Sequence, residues 1–173
     1  MYQNPKILLS LLLVFFIQLA DAQLIINELM ASNNQSFSDN DGNSPDWIEL
    51  YNPSSEIVNT DGYFISDDPN EPNKYLLPTV QIPPNGYLLL IASGRNDFDG
   101  QYHHTNFKLS AGGEVVVLSD ENGNFLDVIA FTQQQTDVSF GRETDGAHNW
   151  VLFEKGSPER SNNSVLPSPF LYD

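Results

Sequence analysis

Pro45-Asp46-Trp47-Ile48-Glu49-Leu50-Tyr51-Asn52-Pro53 is the stretch on which the fold turns. A proline at each end confines the run between them, because proline cannot donate to a sheet ladder. Inside it the residues alternate: Trp47, Glu49 and Tyr51 face one way, Ile48 and Leu50 the other. A period of two marks a strand with two different faces. An acidic loop carrying Asp39, Asp41 and Asp46 leads in, and a polar turn from Asn52 to Asn59 leads out.

The same unit recurs in both directions. Leu24 to Met30 reads as a strand before it, and Gly62 to Ile65 and Lys74 to Leu77 as short strands after it. Pro83-Pro84-Asn85-Gly86 punctuates the chain and delivers Tyr87 to Ala92, almost wholly apolar and expected at the centre of a sheet. Phe107 to Leu109 is a brief extended piece. Glu114 to Leu118 and Phe125 to Phe131 flank Asp120-Glu121-Asn122-Gly123-Asn124, whose Asn-Gly pair is a strong hairpin signal. Ser139 to Arg142 and Trp150 to Phe153 complete the set, separated by the Asp145-Gly146 turn. No window carries helical spacing for long. Short strands between Gly, Pro and Asn predict an all-β sandwich or barrel. Trp47, Phe64, Phe107, Phe131 and Trp150 are its expected core aromatics.

Residues 1–22 read as a signal peptide. Lys6 gives a basic start, Ile7 to Ile17 an apolar core broken only by Ser10, and Ala20-Asp21-Ala22 a cleavage site ahead of Gln23. The apolar run is too short for a membrane span, which needs about 20 residues. The reading is therefore an exported product, secreted or held in the cell envelope, with no membrane span after cleavage. Residues 23–162 form one expected domain, and residues 163–173 a flexible tail or the start of a linker. There are no cysteines, so the core alone, or a core with a bound ion, must hold the domain together. The formal net charge of −16 disfavours nucleic acid and anionic lipid, and favours cations and basic partners.

Several segments, taken in order, carry a family resemblance. They are Ile26-Asn27-Glu28, Asp46 to Asn52, Gly62-Tyr63-Phe64-Ile65-Ser66-Asp67-Asp68, Thr105-Asn106-Phe107-Lys108-Leu109, Gly113 to Leu118, and Ser139-Phe140-Gly141-Arg142. Together they resemble the lamin-tail domain in its bacterial secreted form, from about Leu24 to Asn162. The resemblance implies an immunoglobulin-like β-sandwich without the disulfide and without catalytic residues to carry over. It also implies a tethering role, since bacterial members are often joined to nucleases, phosphoesterases or kinase-like modules. Nuclear relatives bind proteins and sometimes DNA; the acidity of this chain speaks against the DNA role.

The densest polar cluster is Asp39-Asn40-Asp41-Gly42-Asn43-Ser44-Pro45-Asp46. Calcium takes six to eight oxygen ligands, and acids alternating with amides around a glycine can converge on one ion. Asp39, Asp41 and Asp46 are therefore the candidate calcium ligands. The pattern is not an EF-hand: the glycine comes two residues early and the twelfth-position glutamate is missing. An exposed turn whose Asp and Asn bond their own backbone explains the same residues. Asp67, Asp68 and Glu71 form a second acidic turn, the expected contributor if loops share an ion, and Asp97 and Asp99 a third. His103 and His104 are adjacent, so in a strand they point apart and make a poor chelating pair. Glu28 and Glu49 can meet across neighbouring strands, but each is expected to bond backbone or a cation such as Arg142. No nucleophile elbow, reactive thiol or phosphate loop is present. The expectation is a non-catalytic extracellular module that binds a protein or a cell-surface polymer. A calcium-stabilised structural or adhesive domain is the alternative, and an accessory domain of a secreted hydrolase or nuclease the third reading.

Overall fold

The computed structural model describes residues 24–168; the expected signal peptide lies outside them. Strand β2 (Asp46–Tyr51) sits where its flanking prolines confine it and pairs antiparallel on both sides. One neighbour is β1 (Ile25–Met30), the other β7 (Tyr87–Ala92). Two further strands, β11 (Ser139–Arg142) and β12 (Trp150–Phe153), and the two-residue β8 (His103–His104) complete a six-stranded sheet, ordered β12-β11-β1-β2-β7-β8. All of its pairings are antiparallel except β7 with β8.

A second, four-stranded sheet has the order β10-β9-β4-β5, with β4 at Phe64–Ser66, β5 at Tyr75–Leu76, β9 at Gly113–Ser119 and β10 at Phe125–Thr132. The β9–β10 hairpin turns at the Asn-Gly site, where Gly123 adopts φ +77° and donates its N–H to Asp120 O. That left-handed conformation is open to glycine without the steric cost other residues meet. A small ladder joins β3 (Val58–Asn59) to β6 (Gln81–Ile82).

The two sheets pack face to face as a β-sandwich. Ile26, Leu29, Ile48, Leu50 and Leu90 from one meet Ile65, Val116, Leu118 and Phe131 from the other, all within one buried cluster. Burying a side chain of this size fully is worth about 1.5–3 kcal/mol, so this layer is the main source of stability. Of the expected core aromatics, Phe107 and Phe131 lie in the cluster. Phe64 and Trp150 are only half-buried. Ile65 takes the inward position on β4, and alternation turns Phe64 outward. Trp150 instead stacks on Phe140, ring centroids 5.0 Å apart, and receives the Arg142 guanidinium at 5.2 Å.

Trp47 is fully buried, but not between the sheets. With Met30, Leu89, Ile91 and Tyr102 it forms a second cluster, joined by Phe37, on the outer face of the six-stranded sheet. Two segments cover that face: the loop carrying Phe37 and the chain after β12. Gly156 lies flat on the Trp47 ring, where a Cβ would come within 2.7 Å of it. The expected tail is likewise held to the domain among its described residues. Ser161 caps a short 3₁₀ turn, Asn162–Ser164, and Ser168 donates its N–H to Leu152 O at 2.9 Å.

Candidate functional site

Alternation along β2 sends Glu49 to the covered face. Glu49 and Glu28 are register partners on adjacent strands, and both are 0 % exposed. A β-bulge between Ile26 and Glu28 interrupts the pairing, and bulges re-aim side chains. Here the amide of Asn27 joins Glu28 on the outer face, donating to Glu49 Oε1 (3.3 Å) and to Asp145 Oδ1 (2.9 Å). The segment after β12 supplies most of the remaining donors. Ser157 gives Glu28 Oε2 its N–H (3.0 Å) and its hydroxyl (2.8 Å), while Ser139 gives its hydroxyl to Oε1. Glu159 N–H reaches Glu49 Oε2 at 2.6 Å. Asp145 accepts from Tyr87 OH (2.8 Å), Asn162 N–H (3.0 Å) and the Ser161 hydroxyl.

Three carboxyl groups thus meet beneath one short segment, and among the described residues none has an ion-pair partner. Of the two expected partners, each glutamate takes the backbone one, Ser157 N–H for Glu28 and Glu159 N–H for Glu49, and Arg142 bonds neither. Gly141 is the register partner of Glu28, so the next residue, Arg142, projects to the opposite face. There it binds Asp127 (2.9 Å) and donates to Ile26 O (2.7 Å) and Ala147 O. Without a cation, burial dominates the protonation of the glutamates. It pushes Glu28 above the ordinary carboxyl value; burial, then the neighbouring Glu28, pushes Glu49 up to about 9. Fully covered, the pair holds structure together and offers no surface at which a substrate meets a base.

The acidic loop divides. Asp39 Oδ1 accepts from Asp41 N–H (3.1 Å) and Asn43 N–H (2.8 Å), the self-bonded turn such residues favour. Arg95 binds Asp41 at 2.6 Å and Asp97 at 3.1 Å, and stands 3.8 Å from Asp39. Asp46 turns elsewhere: it accepts from Asn33 N–H at 3.0 Å and lines a cleft with Lys108 and Ser93, and burial raises its pKa. Among the described residues, the groups whose ligand atoms gather around Asp39 are Asp99 and His104, all within 4.8 Å of one another. The third acidic turn, not the second, meets the first, with Asn40 donating to both Asp99 Oδ2 and Asp99 O. The second turn is tied to Lys74, which binds Asp67 at 2.6 Å.

His104 and Asp99 escaped the sequence reading as a pair because their meeting depends on the loop between β7 and β8. The ring Nε2 lies 3.0 Å from Asp99 Oδ2, and Nδ1 lies 2.9 Å from Ser93 Oγ. Burial works against the Asp99 anion, but Tyr102 N–H, the His104 ring, Gln101 N–H and Asn40 N–H together hold it below the usual carboxylate range. His103 points the other way, as strand geometry requires, and stacks on exposed Phe98 at 4.6 Å.

The last feature is an edge. Strand β10 borders the four-stranded sheet and, among the described residues, pairs only with β9. Phe125 and Val128 on it are 50 % and 43 % exposed.

Two packed, mostly antiparallel sheets, closed without a disulfide around an apolar layer, define an immunoglobulin-like β-sandwich. The chain belongs to the Lamin Tail Domain family, whose model matches residues 18–133, more than half its length. The match begins ahead of β1 and ends just past β10, so β11, β12 and the covering segment lie beyond it. The family consists of immunoglobulin-like domains that typically act as non-catalytic interaction modules. No curated protein matches the chain.

Proposed function

We propose that this chain is a non-catalytic tethering module that works outside the cytoplasm and docks an extended segment of a partner protein along β10. The observation that carries this reading is that β10 pairs with β9 alone and has apolar Phe125 and Val128 facing solvent, although Ile26 and Arg142 meet it at Asp127. An edge strand presents unpaired N–H and C=O groups, and an extended peptide adds to it as a further strand. Asp127 sits mid-strand, its carboxylate accepting from Arg142, Ile26 N–H and Val128 N–H. A charge in that position discourages indiscriminate pairing. The net charge of −16 selects partner segments flanked by Lys or Arg and rejects nucleic acid. Placement outside the cytoplasm follows from Lys6, the apolar Ile7 to Ile17 and Ala20-Asp21-Ala22.

The test is capture from envelope and secreted fractions of the producing cell by immobilised protein. Val128→Lys places a repelling charge on the edge; Leu166→Lys, at an 89 % exposed site far along the chain, is the control. Capture of a protein by wild type and the control, lost in V128K, supports the reading. Capture that V128K leaves intact, capture of a polymer instead, or no capture at all rejects it.

A calcium-stabilised domain is the second reading, favoured by the convergence of Asp39 and Asp99 in one buried corner. Thermal unfolding decides it: a ligand specific to the folded state adds about 2.7 kcal/mol at a hundredfold excess over its Kd. A rise in Tm with calcium but not magnesium supports the ion, and equal responses remove it.

A further inference from the structure

We propose that Glu28 and Glu49 form a pH-operated latch that, with Asp145 as a further acceptor, clamps residues 156–162 over the Trp47 cluster while the glutamate pair is protonated and lets them go when it ionises. This inference does not rest on the docking role of β10.

The geometry comes first. The segment is fixed to the sheet through these three carboxyl groups: Ser157 to Glu28, Glu159 to Glu49, Ser161 and Asn162 to Asp145. Asn162 adds Nδ2 to Arg142 O at 2.7 Å. The holding groups are acids gathered without a countercharge, and a buried anion without a partner is costly. A latch built from apolar contacts would ignore pH. One built from neighbouring carboxyl groups cannot, because each added negative charge repels the others at low dielectric.

The surroundings offer little relief. From β1 the group facing the pocket is Glu28, from β2 Glu49, and from β7 Tyr87, whose hydroxyl binds Asp145. Tyr51 on β2 is turned to Asn85, and the nearby Asp145 charge, after burial, raises its pKa. From the segment itself come Glu159, whose side chain reaches Tyr102 OH at 3.4 Å, and exposed Arg160. Arg142 on β11 is committed to Asp127 on the other face.

The sign follows from linkage. Closed, Glu49 retains its proton up to about pH 9; open to water, it would lose it near its ordinary value of 4.5. Between those values the closed state binds more protons than the open one. Closure is therefore favoured at acid pH and loses ground as pH rises through that window. Opening lifts Gly156 from the Trp47 ring and uncovers an aromatic surface on the six-stranded sheet.

Amide hydrogen exchange of the purified protein between pH 5.5 and 8.5, corrected for intrinsic rates, tests the latch. At Ser157, Glu159 and Asn162, wild-type protection should fall by up to about tenfold per pH unit, with a red shift of Trp47 emission. The amides of β2 and β7 should stay protected throughout. Glu49→Gln removes one of the two buried ionisable groups, so protection at the three amides should fall less steeply with pH than in wild type. A wild type whose protection is flat across this range overturns the proposal whatever the variant does. So does an equal pH response in E49Q, or a loss in β2 and β7 that matches the loss at the three amides.

Discussion

Both faces of the six-stranded sheet are shut off from water, by different means. The inner face meets a second sheet, and Ile48 and Leu50 enter an apolar layer in which no polar partner has to be found. The outer face meets only loops and the 156–162 segment, and Glu49, between Trp47 and Tyr51 on β2, must be met by specific donors. Apolar packing tolerates small shifts because contact is non-directional. A buried carboxyl is held only while each of its donors stays in place. The inner face therefore carries stability, and the outer face carries conditional order.

The largest expected effect tests the first half of that contrast. Leu50 is fully buried in the sandwich layer, and Leu50→Ala should cost about 2–5 kcal/mol through lost transfer energy and the cavity left behind. Urea unfolding should show a lower midpoint with an unchanged m-value, the mark of lost stability rather than an altered unfolded state. A loss well under 1 kcal/mol would break the comparison, since the layer would then not be the stabilising one.

The inner face was also the legible one. Alternation between two prolines located β2, the Pro-Pro-Asn-Gly signal located β7, and Asn-Gly located the β9–β10 hairpin. The strands β3, β6 and β8 are not legible because two residues are too few to show a period, and none of them lies in a run of three apolar residues like the Tyr75-Leu76-Leu77 that marks the equally short β5. The facing of Glu28 and Glu49 could be read from alternation, but their cover could not. Ser157 lies 129 positions from Glu28, and no local pattern announces so distant a donor. Asp145 read only as a turn residue beside Gly146, and the bulge that swings Asn27 toward it leaves no trace in the residue order. Between backbone and a cation such as Arg142 as the glutamates' partner the sequence does not choose, because the register opposite Glu28, and hence the direction of Arg142, is set by pairing and not by sequence distance.

A smaller effect belongs to the outer face. Ser157→Ala removes the hydroxyl that donates to Glu28 Oε2 but leaves the backbone N–H in place. Loss of one donor to a buried acceptor should cost about 1–3 kcal/mol. What distinguishes it from Leu50→Ala is location. Trypsin should cut S157A faster at Lys155 and Arg160, both exposed, while β2 and β7 amides keep their protection against exchange. A uniform loss of protection would show that the outer face is as much a part of the cooperative core as the inner one.

The smallest effect comes from an acid met by a cation at the edge of the domain, where both side chains keep some contact with water. Lys74 binds Asp67 at 2.6 Å and sits 5.7 Å from the centre of the Phe107 ring, with its side chain 29 % exposed. Asp67 thus has what Glu28 and Glu49 lack, a positive partner, and it has water as well. Charge pairs at the surface contribute at most about 1 kcal/mol, because water and salt compete with the pair. Lys74→Met keeps the aliphatic stem against Phe107 and deletes only the charge. Its unfolding midpoint should move by less than that of S157A, and raising the salt concentration should shrink the difference from wild type. A shift as large as that of S157A, insensitive to salt, would mean that the Asp67 turn is as strongly desolvated as the latch. The contrast between carboxyls in water and carboxyls under cover would then no longer separate the two regions.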